Sequence, residues 1–428
     1  MRILAAIGCL WLSSLPAVVA QAETVTPIRS VDFGRLERFG DLRILHTWGT
    51  PEQRGRAHGL LLGQEIADLL VAEFGVRFRR QPETRAFIRT SLPRMIEYPE
   101  PVQAELQAIF AAMQEGGVDL RCEQLDCDLD LLDLQVANAL DVFGLMACSG
   151  FTVAGEQVVG GGVLTGRNFD WPCKGAHLVD DALLHVQHFD GGHATASITW
   201  PGYVAIITGI NSDGVAGFLH VGNAEIDMTP EPSSWPTAIA LREILEDSDG
   251  QPVDEVFGLA LDRLGYTSPP AGYLTRIVLP SMPAAGPPAG LFESSTEEVL
   301  RADLEGPVVV TNHFQGRKDV RGVSEDSMQR FRDVRGQIDE CLVEGDKQVS
   351  VDEAWQMLES VQKGNHRFGT LHSLVFRHDP WCFQLRIGKR GEKDVIPAPI
   401  SERRYDLPRR LLFPTVPTGP GQAPAGRR

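Results

Sequence analysis

Positive charge is scarce in this sequence. Its 40 lysines and arginines face 57 aspartates and glutamates, for a formal net charge of −17. No basic field exists to attract phosphates, so a nucleic-acid partner is excluded. Phosphate-cradling glycine motifs of the GxxxxGKS/T or GxGxxG kind are absent too, which argues against a nucleotide-binding reading. No CxxC occurs and no paired histidines accompany the cysteines, so the spacing does not resemble a zinc site. There is no internal repeat. Beyond residue 20 no apolar run approaches a membrane-spanning length.

What is present begins with a leader. Arg2 precedes a mostly apolar stretch over residues 3–20, with Pro16 near its end and Ala20-Gln21-Ala22 as a small-x-small site. This pattern predicts a secretory signal peptide, 1–22, cleaved after Ala22, and hence an exported (periplasmic or secreted) protein without a stable membrane anchor. A single anchor is the rival reading of the same stretch. Of the 7 cysteines, Cys9 leaves with the leader. Export permits disulfides among the rest. Cys122 and Cys127 are close enough in sequence to close a small loop, and Cys341 with Cys382 is a second candidate pair.

The 428 residues suffice for one large core or two smaller ones. Residues 23–49 carry short alternating runs that suggest strands. Apolar residues then recur at helical spacing over 52–79, 87–98, 101–113 and 129–142. After Cys148 the period changes to two, and runs within 158–221 read as successive strands. Helices are expected at 235–246 and 253–264, a strand at 273–279 and a proline-rich loop over 280–290. A buried strand at 308–312, helices at 326–343 and 351–361, and strands at 371–376 and 382–387 follow. Residues 414–428 are rich in Pro, Gly and Arg, so a disordered tail is expected from residue 401. This order of elements implies a layered α+β fold.

Cys148 stands where the period changes. Free cysteines are commonly buried, inert hydrophobes. Here Arg167 and Asp170 lie one strand, turn and strand later, and a hairpin would return both to the thiol. Taken separately, those two could be a structural ion pair.

The stretch Cys148-Ser149-Gly150-Phe151 with Gly166-Arg167-Asn168-Phe169-Asp170-Trp171 resembles the N-terminal-nucleophile hydrolases of the penicillin acyltransferase (peptidase C45) group, relatives of choloylglycine hydrolases and acid ceramidases. Further segments resemble that group in order along the chain. They are Arg54-Gly55-Arg56-Ala57-His58-Gly59, Gly209-Ile210-Asn211-Ser212-Asp213-Gly214-Val215, Thr311-Asn312-His313-Phe314, Ser327-Met328-Gln329-Arg330 and Thr370-Leu371-His372-Ser373. The resemblance implies a four-layer αββα sandwich as the core, 148–400, after a mostly helical segment, 23–147. It implies a precursor that breaks its own Ala147–Cys148 bond, leaving two chains that stay together. Cys148 would then supply both thiol nucleophile and α-amino base. Asp170 would hold the amino group, Arg167 would orient the thiolate or substrate, and Asn312 would donate to the oxyanion. Arg330 would contact the nucleophile region. Asn223 is the nearest residue for a second oxyanion donor, although Val221 occupies the strict register. The implied substrate is a small N-acyl amide: a β-lactam side-chain amide, an N-acyl amino acid, an N-acyl homoserine lactone or a conjugated bile acid. No cofactor or metal is implied, and a homo-oligomer is compatible with the pattern.

Two rivals remain open from sequence. One is a papain-like thiol hydrolase that pairs Cys148 with His372 and needs no self-cleavage. The other is a binding protein on the same fold. Other polar residues have bland readings: Asn211 as a turn residue, His313 as a core or sheet-edge histidine, and His185, His188 and His193 as solvent-exposed.

Overall fold

The computed structural model describes residues 24–75, 79, 81–139, 141, 144, 146–172, 177–222, 234–317, 323–344, 346–365, 367–392, 396 and 403–416. The expected signal segment, 1–22, lies outside them, as do Cys173 and Asn223.

The described chain opens with three strands, β1 (Val25–Val31), β2 (Gly34–Phe39) and β3 (Leu42–Thr47). Helix α1 (Pro51–Leu70) has a locally determined start. Thr50 accepts the Gln53 amide, the Gln53 side chain returns to the Thr50 amide, and Pro51 occupies the first turn. Its end widens into a π turn, Val71–Gly75, so the regular helix stops short of residue 79. Helices α2 (Pro82–Met95) and α3 (Glu100–Glu115) come next. A small ribbon, β4 (Arg121–Cys122) with β5 (Cys127–Asp128), then leads to α4 (Leu131–Ala137). Helix α4 is shorter than the span 129–142 predicted by periodicity. Asn138 ends it by turning its carboxamide to tertiary partners: Nδ2 donates to Gly202 O at 2.8 Å and Oδ1 accepts from Val204 N at 2.7 Å.

Strands dominate from residue 147. They are β6 (Ala147–Ala154), β7 (Val163–Pro172), then after a short helix α5 (Leu178–Asp181), β8 (Leu183–His188), β9 (Ala194–Thr199), β10 (Thr208–Asn211) and β11 (Ala216–Val221). Helices α6 (Thr237–Asp247) and α7 (Val256–Leu264) precede β12 (Tyr273–Val278), β13 (Ala289–Ser294), β14 (Val299–Ala302) and β15 (Val308–Val310). The chain closes with α8 (Glu325–Asp339), α9 (Val351–Ser360), β16 (Phe368–Arg377), β17 (Cys382–Ile387), β18 (Tyr405–Asp406) and α10 (Arg409–Leu412).

Two sheets form. One has ten strands in the order β1-β2-β3-β8-β9-β10-β11-β12-β13-β14, and the other six in the order β15-β6-β7-β16-β17-β18. Ile44, Leu184, Ile198, Phe218 and Leu291 of the first share a core with Val163, Val310, Leu374 and Leu385 of the second. On the outer face of the large sheet, α1, α3, α6 and α7 bury Leu62, Ile109, Leu241 and Ala260. On the outer face of the small sheet, α8 and α9 bury Val334, Ile338 and Leu358 against Phe151 and Leu164. The result is the four-layer α+β order, αββα.

The strands expected over 23–49 form as β1–β3 and extend the large sheet, with β3 parallel to β8. Several other expectations need correction. Strands β13 and β14 were not foreseen, hidden behind the proline-rich loop. The tail is not disordered from residue 401. Strand β18 pairs with β17, and Tyr405, Leu407, Leu411 and Leu412 are buried in the inter-sheet core. His185 and His188 are buried rather than exposed. Strand β8 lies inside the large sheet, and both rings meet other polar groups: His185 Nε2 lies 3.0 Å from Thr47 Oγ1, and His188 Nε2 lies 3.2 Å from His46 Nδ1. Cys122 and Cys127 face each other across the β4–β5 ribbon, yet they carry free thiols, as do Cys341 and Cys382.

The Arg54–Gly59 stretch proves to be scaffolding. Arg54 donates to Gly49 O at 2.8 Å and lies 3.5 Å from the buried Glu105 carboxylate. His58 Nε2 accepts the Gly202 amide at 3.0 Å, and burial holds its pKa down at about 4, so the ring is a neutral acceptor. Gly59 lets α1 and α3 touch: a Cβ there would meet Ile109 O at 2.4 Å and Ala112 Cβ at 2.8 Å. Gly59→Val is therefore expected to lower stability by about 1–3 kcal/mol, measured by urea denaturation.

Asp141 is buried beside the start of α6, where Oδ2 accepts the Ala238 amide at 3.1 Å. Burial pushes its carboxyl from 3.8 up to about 6, with Tyr98, Tyr203 and Tyr273 close enough to feel its charge. A carboxyl raised on folding contributes stability that is present below its unfolded value and lost as pH rises through the folded one. Asp141→Asn is thus expected to match the parent protein near pH 4 and to exceed it by up to about 3 kcal/mol at pH 7–8, read from denaturation midpoints across that range.

Candidate active site

The site is built where three neighbouring strands of the small sheet end together. The β6–β7 pairing is antiparallel, with Cys148 opposite Phe169 and Ala147 opposite Asp170. On its other edge β6 pairs with β15 in a register that sets Val310 opposite Gly150. Continuing that register by two residues brings Asn312 alongside Cys148. Alternation then assigns the faces: Cys148, Arg167, Phe169 and Trp171 share the inner one, while Asn168 and Asp170 take the other.

Cys148 is fully buried. Its backbone N–H donates to Asn312 Oδ1 at 2.9 Å, and its Sγ receives Arg167 Nη2 at 3.3 Å. The same Nη2 donates to Leu219 O at 2.8 Å, so Arg167 spans from the small sheet to the large one. Burial pushes the Cys148 thiol up, against which the Arg167 and then Arg330 charges pull it down. Burial likewise pulls the Arg167 pKa down.

Arg330, on α8, ties the pieces together. It donates to the Cys148 carbonyl, to Ser149 Oγ at 3.2 Å and to Asn312 Oδ1 at 2.8 Å, while its Nε pairs with Asp326 at 3.0 Å. Ser327, one helical turn earlier, accepts the Asn312 amide at 2.8 Å and fixes that corner. Asn312 Nδ2 donates to Val221 O at 2.9 Å. The expected oxyanion donor is thus already engaged, and the carboxamide oxygen takes the Cys148 amide.

Asp170 Oδ1 accepts the Thr370 hydroxyl at 2.7 Å. Oδ2 is buried and has no hydrogen-bond partner among the described residues. Burial raises the Asp170 pKa, opposed chiefly by Arg330. The rest of the Thr370–Ser373 stretch is structural. Ser373 Oγ donates to Asn168 Oδ1 at 2.6 Å, and His372 Nε2 lies 3.1 Å from Thr208 Oγ1 with its ring stacked on Phe169 at 5.2 Å. His372 faces Thr208 while the sulfur faces Arg167 and Leu219, so the papain-like pairing is not formed. His313 bonds Ser327 Oγ at 2.9 Å. Asn211 does hold a turn, its Oδ1 accepting Val215 N at 2.9 Å.

Residues 158–392 match the family model of acyl-coenzyme A:6-aminopenicillanic acid acyl-transferase, more than half of the chain. The chain belongs to this family. The family match takes in Arg167, Asp170, Asn312 and Arg330 and begins ten residues after Cys148. The chain is 24% identical over 225 residues to an uncharacterized protein of Archaeoglobus fulgidus, covering 48% of this chain and 37% of that one. It is 24% identical over 278 residues to protein dcd1A of Dictyostelium discoideum, covering 55% and 56%. The chain therefore spans only about a third to a half of these relatives. Among solved structures it is similar to an N-acylethanolamine-hydrolyzing acid amidase ortholog of Caenorhabditis elegans (13% identity, TM-score 0.37, 54% of this chain and 92% of that one). It is similar also to penicillin V acylase of Agrobacterium tumefaciens (14% identity, TM-score 0.37, 56% and 83%).

Sequence reading missed Arg276 on β12. This buried guanidinium crosses from the large sheet to the small one, donating to Gly166 O at 2.9 Å and Thr152 Oγ1 at 3.3 Å, over the Phe218 ring at 4.5 Å. A Cβ at Gly150 would meet its Nη2 at 2.6 Å and Gly166 O at 2.8 Å, which explains the glycine after Cys148-Ser149. The signal was present as an arginine inside an otherwise apolar strand. Gly150→Ala is expected to cost about 1–3 kcal/mol. Adding Arg276→Met should recover part of that loss, so a denaturation double-mutant cycle should show coupling rather than additivity.

Proposed function

We propose that the protein is an exported, self-processing cysteine amidohydrolase acting on N-acyl amides. Its leader is removed after Ala22. The Cys148 thiol attacks the Ala147 carbonyl, the peptide C–N bond breaks to a thioester, and water releases the Ala147 carboxylate. Cys148 is left with a free α-amino group. That amine, with an ordinary pKa of about 7.7–8.0, takes the thiol proton. The thiolate then attacks the substrate amide, the amine leaves with a proton, and water hydrolyses the acyl-enzyme.

The unpartnered Asp170 oxygen carries this reading. Before cleavage Cys148 offers one backbone N–H, which Asn312 takes. A buried carboxylate oxygen without a donor is costly, and cleavage creates new N–H donors on the residue next to it. Arg167 orients the thiolate. Asn312 serves as oxyanion donor through its amide nitrogen once substrate competes with the Val221 carbonyl. Asn223 stays the candidate for a second donor. Arg330 holds Asn312 against the nucleophile.

Contacts across the proposed break favour retention of the N-terminal chain. Glu105, before it, bonds Arg242, after it, at 2.7 Å in full burial, and His58 and Asn138 both hold Gly202. Removing one partner of a buried pair costs about 3–5 kcal/mol. Hydrolysis is favoured over acyl transfer because an exported enzyme does not meet acyl-coenzyme A.

Purified protein run on a denaturing gel should give two chains, the larger beginning Cys148-Ser149-Gly150-Phe151 and the smaller ending at Ala147. Cys148→Ala should give one inactive chain. A single uncut chain that hydrolyses amides would sink the self-processing step. A protein unaffected by Cys148→Ala would instead be a binding protein.

A further inference from the structure

Two hydrogen-bond routes run from one surface carboxylate to the Cys148 nitrogen. On the first, Asp326 Oδ2 accepts Arg330 Nε at 3.0 Å. Arg330 Nη2 donates to Asn312 Oδ1 at 2.8 Å, and that oxygen also accepts the Cys148 N–H at 2.9 Å. On the second, Asp326 Oδ1 accepts the Lys363 ammonium. The Lys363 amide donates to Thr370 Oγ1 at 2.8 Å, and Thr370 donates to Asp170 Oδ1 at 2.7 Å, with Asp170 opposite Ala147 in the strand register. The Asp326 side chain is 54% exposed, whereas those of Arg330 and Lys363 are 7% and 14% exposed. The carboxylate thus sits at the rim and its two cations lie inside it. Burial pushes the Asp326 carboxyl up, but the Lys363 hydrogen bond and the Arg330 charge together hold it below its ordinary value, so it is ionised at neutral pH.

An amine at Cys148 would meet a mostly cationic set. Arg167, Asp170 and Arg330 act on Cys148 directly, Arg276 reaches it from the large sheet, and Lys363 acts on the neighbouring Asp170. His220, His313, His372 and Tyr273 lie close enough to feel Arg167, Arg330 or the Cys148 thiol, and burial keeps all of them neutral. A nearby cation makes an amine give up its proton more readily, and a nearby carboxylate makes it hold on. To take the thiol proton, the amine must first be unprotonated.

We propose that Asp326 is a positioning residue that sets the lower pH limit of catalysis by shielding the Cys148 amine from Arg330 and Lys363. The proposal rests on the reading of Cys148 as a freed N-terminal residue. Removing the Asp326 charge leaves both cations unshielded, so the amine loses its proton at lower pH and activity extends downwards. Removing the Lys363 charge does the reverse. Opposite shifts from the two halves of one ion pair mark an effect of charge, because a structural contact is lost equally whichever partner is removed.

The test uses the purified full chain, Asp326→Asn, Lys363→Gln and the double variant, each sequenced for a chain beginning at Cys148. The pH profile of kcat/KM is then measured with octanoic acid 4-nitroanilide, since its acid limb reports the base of the free enzyme. The midpoint is expected to fall by about 0.3–1 pH unit in Asp326→Asn and to rise by a similar amount in Lys363→Gln. The double variant should return towards the parent value, and Asp326→Glu, which keeps the charge, should retain it. Midpoints that stay in place, or that move the same way in both single variants, overturn the proposal. If the anilide is not cleaved, the pH midpoint for alkylation of Cys148 by iodoacetamide, read from the mass of its peptide, decides by the same shifts. An uncut parent chain has no amine at Cys148 and overturns the proposal together with the self-processing reading. A cut chain with unshifted midpoints overturns this proposal alone.

Discussion

The site depends on burying guanidinium groups between two sheets with very little to neutralise them. Arg167 and Arg276 are both fully buried, and they cross the inter-sheet space in opposite directions. Each donates to one backbone carbonyl, Leu219 O and Gly166 O, whose dipoles solvate a cation without cancelling its charge. A buried charge is tolerated when paired and bonded. The group that faces Arg167 is the Cys148 sulfur, and its thiolate would be the natural counter-charge. Two demands therefore meet at one point: the arginine needs an anion, and burial resists the thiol becoming one. An isolated buried cysteine would simply stay protonated.

The surroundings follow from that requirement. Gly150 must lack a side chain so that Arg276 can reach the Gly166 carbonyl. Arg330 brings a third positive group, but it is shared with Asp326 and spent largely on fixing Asn312 and the Cys148 carbonyl. Asp170 sets its carboxyl on the opposite face of the strand, where burial raises its pKa and Arg330 and Lys363 oppose that rise in part. The site thus separates its charges across the thickness of one sheet.

The helical layer answers a different problem. Under the proposed cleavage at Ala147–Cys148, the first bond within β6, the two parts must hold together without a covalent link. The Glu105–Arg242 pair, the neutral His58 acceptor and the Asn138 carboxamide all sit at that boundary, and all are buried. The segments that resemble the family before residue 60 therefore serve assembly rather than chemistry.

Much of this was legible in the residues. The change of period at Cys148 located the small sheet and the later strands of the large one, and the spacing from Cys148 to Asp170 was a hairpin that does form, because strand alternation is local. The extent of the helix over 129–142 was misjudged, since Asn138 is claimed by Gly202 and Val204, partners a linear pattern does not reveal. The last strand was lost behind the Pro, Gly and Arg bias of the tail. Within the site, the sequence by itself determined the chemical types and the local hairpin. Only the tertiary structure decided that Asn312 takes the Cys148 amide, that Arg276 crosses to Gly166, and that one Asp170 oxygen has no partner among the described residues. Those partners come from segments far apart in the chain, and which of them meet is settled by the packing of one sheet on the other.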